Sequence, residues 1–119
     1  MKAADYRAKL MSEGDLQQSV EQLLTLHGWT FHHETDSRKS RRGFPDLIAV
    51  HPTGRLLLVE LKGYDARGRL GTATAEQQKW LDVWRQAGAR IHGDVITSYA
   101  WEPKDWHSGA IGRVLEVRR

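Results

Sequence analysis

Hydrophobic and polar positions follow two different periods along this chain, and the changes of period mark out its elements. Leu16, Val20, Leu23, Leu24 and His27 recur three and four residues apart, the spacing of one helix face. Ser12 before Glu13-Gly14-Asp15 reads as an N-cap with acids in the first turn, and Gly28 as the stop. Trp29 to Thr35 then alternates and is rich in β-formers, which predicts a strand. Asp46-Leu47-Ile48-Ala49-Val50 is a short apolar strand, His51-Pro52-Thr53-Gly54 a turn, and Arg55 to Lys62 a second strand. That second strand is apolar on both faces until its end, the mark of a central strand covered on both sides. Thr74-Ala75-Glu76-Gln77 fits a capping box and opens a helix with Trp80, Leu81, Trp84 and Ala87 inward, ending at Gly88. Gln77 lies on that inward side, one turn before Trp80. Residues 89–96 read as a last strand. The tail reads as a turn over 101–106 and a short helix over 111–117, with its tryptophans closing one side of the core. Residues 1–11 carry no clear signal.

Length changes this picture little: 119 residues make one domain with one core. The expected organisation is a single domain over 1–119, with a core of about 12–96 and a C-terminal extension over 97–119. Charged residues at 28% and hydrophobic residues at 39% fit a globular chain. No apolar run approaches a membrane span and no leader is expected at Met1-Lys2-Ala3-Ala4. Cysteine is absent, which excludes disulfides and zinc–thiolate sites and fits a cytoplasmic location. Charge adds more. The net charge of +3 and sequence pI near 9.4 favour an anionic partner. Arg38, Lys39, Arg41 and Arg42 concentrate that charge within five positions, just ahead of Gly43, where phosphate contact is expected.

The chemistry concentrates in Gly43-Phe44-Pro45-Asp46 and Val59-Glu60-Leu61-Lys62. A hairpin through Pro52 and Gly54 puts Asp46 and Glu60 at the same end of the sheet, and alternation gives Glu60 and Lys62 one face. Two carboxylates, with the backbone carbonyl of Leu61 as a third oxygen, suit a hard divalent cation. Such an ion polarises a phosphate and lowers the pKa of a bound water. Lys62 would orient that water or stabilise the charge that develops on phosphorus. Placing Glu60 and Lys62 at the end of an apolar strand is costly unless something binds them. His32-His33 also invites a metal, but neighbours on a strand point to opposite faces, so the pair cannot share one ion.

These two motifs resemble those of the PD-(D/E)xK nuclease superfamily, and their setting resembles its VRR-NUC group. Glu13-x-x-x-Gln17 on a first helix, the Gly-x-Pro-Asp turn, the Glu-x-Lys strand and a helix opening near Glu76-Gln77 extend the likeness over 12–96. The resemblance implies a mixed α/β, restriction-endonuclease-like α-β-β-β-α-β core with a central mixed sheet flanked by helices. It implies a Mg²⁺- or Mn²⁺-dependent endodeoxyribonuclease, with Asp46 and Glu60 as metal ligands and Lys62 as the catalytic lysine. The family's first-helix acid falls on Glu13, with Gln17 as the alternative, and Gln77 becomes a supporting site residue. Small standalone members, often phage-associated, tend to cut branched or flap DNA as homodimers, so structure-selective cleavage is the expected activity. The competing expectation is a non-catalytic nucleic-acid-binding module on the same fold, working through Arg38 to Arg42.

Overall fold

Ser12 caps the first helix as expected, its Oγ accepting from the Asp15 N–H at 3.1 Å. In the computed structural model, which describes residues 11–34, 43–91 and 95–117, that helix is α1 (Glu13–Leu26). It ends where Gly28 takes φ +83°, a left-handed conformation that glycine adopts without steric cost. The strands β1 (Thr30–His33), β2 (Leu47–His51) and β3 (Arg55–Leu61) follow, then α2 (Ala75–Ala89) and β4 (Ile96–Trp101). Two short helices, α3 (Pro103–His107) and α4 (Ala110–Leu115), complete the described elements. The order from α1 to β4 is the expected α-β-β-β-α-β.

The sheet order is β1-β2-β3-β4. The first three strands form an antiparallel meander, with Thr30 opposite Val50 in one pair and Leu47 opposite Val59 in the next. The Leu56 N–H bonds to the Val95 carbonyl and the Lys62 N–H to the Trp101 carbonyl. Both partners advance together, so β4 runs parallel to β3 and the sheet is mixed. A parallel step needs a crossover, which α2 supplies. This is the mixed α/β, restriction-endonuclease-like class that the sequence implied.

The residues gather into two compact units. One holds β1, β2, α2 and nearly all of β3 and β4. Its core comprises Trp29, Leu47, Ala49, Leu57, Leu58, Val59 and Leu81. Burying each large aliphatic side chain contributes roughly 1.5–3 kcal/mol before cavity terms. Helix α2 is fixed to β4 by the Ser98 hydroxyl, which donates to the Leu81 carbonyl at 2.8 Å. At the β2–β3 turn His51 is buried, with its Nδ1 2.8 Å from the Thr53 hydroxyl. Its ring meets Trp29 edge to face at 5.2 Å. The other unit places Leu16, Val20 and Leu24 of α1 with Ile111 and Leu115 of α4. Leu61 and Trp101, the last residues of β3 and β4, are buried there too.

Four expectations need correction. The last strand is Ile96–Trp101, not 89–96. Helix α2 runs through Gly88 to Ala89. Near its end Gly88 is buried and Ala87 exposed, because the Ile96 carbonyl lies where a Cβ on residue 88 would be. The tail makes two short helices rather than one. The segment from Gly63 to Gly71 is a hydrogen-bonded excursion. Tyr64 bridges Leu70, and the Gly71 N–H donates to the Gly63 carbonyl. No helix among the described residues is long and apolar enough to cross a membrane.

Candidate active site

Asp46 sits one residue before β2, and the Glu34 N–H holds its carbonyl at 2.8 Å. The hairpin register pairs Leu47 with Val59, so Asp46 and Glu60 are the next opposed positions. Directly opposed residues carry Cβ atoms ~4.5–5.5 Å apart. The expectation that the hairpin brings the two carboxylates to one end therefore holds. Asp46 is half-buried, whereas Glu60 is 1% exposed.

A carboxylate so buried at the end of an apolar strand must be compensated locally. Gln77 does part of this. Its Nε2 donates to Glu60 Oε1 at 2.8 Å. Its Oε1 accepts from the Thr74 N–H at 2.9 Å, while its own N–H donates to Thr74 Oγ1 at 3.2 Å. The capping box predicted from sequence is thus present, and its glutamine serves two partners at once. The second carboxylate oxygen, Glu60 Oε2, is buried and has no hydrogen-bond partner among the described residues.

The turn that carries Asp46 is seated on the same helix start. Gly43 has φ +82°, and a Cβ there would fall 2.6 Å from the Glu76 Cβ. Only glycine permits this backbone to approach so closely in that conformation. Phe44 next to it meets Trp80 edge to face, ring centres 5.1 Å apart, a geometry favoured by the ring quadrupoles. Periodicity had marked Trp80 only as an inward position. The Phe44–Trp80 pair was missed, and the signal available was Trp80 standing three residues after Gln77.

Lys62 follows Glu60 by two positions, and its N–H is held by the Trp101 carbonyl at 3.0 Å. Gly63 lies against the first turn of α1: a Cβ there would overlap the Glu13 nitrogen and the Ser12 carbonyl carbon. The Glu13 backbone is thereby placed beside the Lys62-Gly63 segment, and its side chain is exposed. Gln17 is half-buried and its Nε2 donates to Glu21 Oε2 at 2.7 Å. Leu61, whose carbonyl was a candidate ligand, has its side chain 1% exposed. Arg38, Lys39, Arg41 and Arg42 lie outside the described residues. His32 and His33 alternate as expected, exposed and half-buried respectively.

No group of three or more acidic, histidine or cysteine side chains that could hold a metal occurs among the described residues. The donor set still suits magnesium or manganese, because such ions take one or two carboxylates and keep several waters. Opposed Asp46 and Glu60, the latter buried and held by an amide, fit that pattern.

The VRR-NUC domain matches residues 3–93 of the chain. No curated protein and no solved structure matches it.

Proposed function

The chain belongs to the VRR-NUC domain family, of PD-(D/E)xK-type nucleases, and from that premise we propose that it is a metal-dependent endodeoxyribonuclease. Glu60 carries the reading: a carboxylate 1% exposed, at the end of an apolar strand, bonded to Gln77 and opposite Asp46 in the hairpin register. Nothing in an ordinary strand end calls for a charge so deeply placed.

In this reading Asp46 and Glu60 would hold Mg²⁺ or Mn²⁺, with the Leu61 carbonyl as a further oxygen donor. A divalent ion there supplies Lewis-acid polarisation of the phosphate and a more acidic bound water. Lys62 donates to the phosphoryl oxygen that gains charge as water attacks phosphorus and the P–O bond to the leaving sugar breaks. Gln77 fixes the rotamer of Glu60. Glu13 is the first-helix candidate for a further ligand and Gln17 its alternative; the Glu13 backbone lies beside Gly63, and Gln17 donates to Glu21. Arg38, Lys39, Arg41 and Arg42 gather the DNA backbone. Branched or flap DNA is the expected substrate.

Purified protein should nick DNA with Mg²⁺ or Mn²⁺ and be inert in a chelator. Lys62→Ala and Asp46→Ala should each lose at least about a hundredfold in rate, the scale of removing one preorganised electrostatic group, while keeping the native circular dichroism spectrum. The panel should include single-strand, duplex, flap, splayed and four-way DNA. Undiminished cleavage by either variant would end the reading. Metal-independent binding without nicking of any member would favour the non-catalytic module instead.

A further inference from the structure

The Phe44–Trp80 pair has no role in holding a metal, yet Phe44 stands two residues from Asp46 in sequence and both rings lie on the same unit as that carboxylate. Trp80 is half-exposed. With Glu76, Lys79 and Val83 it lines a depression of about 310 Å³. That volume lies at the small end of the ~300–1,000 Å³ range of ligand pockets, suited to one flat heteroaromatic group.

We propose that Trp80, braced by Phe44, is the stacking platform for one unpaired nucleobase of the DNA, adjacent to the phosphate addressed by Asp46. This rests on the nuclease reading and specifies how its substrate is chosen. The chemistry of the wall favours a base over other occupants. An indole offers a broad π-face that stacks on any base. Lys79 and Val83 are exposed beside it, one to meet the flanking phosphate and one to cover the base edge. Glu76, also exposed, disfavours a phosphate inside the depression but accepts hydrogen bonds from an exocyclic amine. A base inside an intact duplex is already stacked and cannot enter, so the platform selects DNA that offers an unpaired nucleotide. Phe44 sits in the Gly43–Asp46 turn and packs on Trp80, so the turn that carries Asp46 is in direct contact with the platform.

The test is equilibrium binding in metal-free buffer, so its outcome does not depend on cleavage. A duplex with a three-nucleotide unpaired tail carries one 2-aminopurine, walked through the tail and into the paired region. Wild-type protein should quench the probe strongly at one tail position and not in the duplex. Trp80→Leu should lose the quench and bind the tailed DNA roughly 5- to 150-fold more weakly, the range for removing one stacked base. Trp80→Phe should restore both. Should Trp80→Leu not fold, the probe walk with wild-type protein decides: quenching that is absent, or uniform along the tail, overturns the proposal. So does a folded Trp80→Leu that binds and quenches like wild type. A platform confirmed here in a protein that cuts nothing with Mg²⁺ or Mn²⁺ would leave the stacking site standing and remove the nuclease reading.

Discussion

At the scale of single residues, Gln77 concentrates the most consequence in the fewest atoms. One side-chain amide accepts from the Thr74 N–H and donates to the buried Glu60 carboxylate. The amide can do both only in one orientation; turned over, it would set NH₂ against N–H and carbonyl against carboxylate. Gln77→Ala removes both bonds. Losing a partner of a buried charged group costs ~1–3 kcal/mol, and the helix start loses its reciprocal cap. A urea midpoint should fall accordingly. Cleavage should drop about 10- to 100-fold, the usual cost of removing a group that orients a ligand. An unchanged midpoint together with an unchanged rate would show that Glu60 does not depend on this amide.

At the scale of elements, what was legible in the sequence and what was not follow one physical rule. Signals carried by side chains were readable. The Ser12 cap, the Thr74–Gln77 box, the alternation of β1, and the turn that opposes Asp46 to Glu60 all came from residue types at fixed offsets. Signals carried by backbone approach were not. Gly88 reads as a helix stop but lies inside α2 because the Ile96 carbonyl crosses it. That crossing sets β4 at Ile96–Trp101, where Thr97-Ser98-Tyr99 had been assigned to the C-terminal extension. Gly43 against Glu76, and Gly63 against Ser12 and Glu13, are further close approaches that no periodicity encodes. The Gly63–Gly71 excursion is an exception to that rule, since its order comes from a side chain, that of Asp65. That carboxylate accepts from the Arg67 and Arg69 N–H groups, each at 2.9 Å. The Arg69 N–H foremost holds its pKa below the ordinary 3.8; desolvation, next in size, opposes it, and the Arg67 N–H and the Arg69 charge add to the lowering. A depressed folded pKa gives a contribution that is present above the unfolded value and is lost as pH falls through the folded one. The amide protons of Arg67 and Arg69 should therefore keep constant shifts in NMR spectra from about pH 5 to 7 and move on acidification through the lowered carboxyl pKa. Movement between pH 5 and 7 would contradict that order.

At the scale of the whole molecule, a net charge of +3 conceals a local concentration in Arg38, Lys39, Arg41 and Arg42. If these four neutralise phosphates, replacing all of them with alanine should make the slope of log K against log salt shallower by up to about 4, near 0.9 for each contact on duplex DNA. A slope unchanged by the replacement would move the DNA-binding role elsewhere on the surface. The double duty of Gln77 also has a consequence for the molecule in time. Helix ends open far more often than sheet interiors do. Each time the first turn of α2 frays, the grip on Glu60 is released with it. That turn should then work as a fuse: on warming, cleavage should be lost, and regained on cooling, at temperatures below the unfolding midpoint read by circular dichroism.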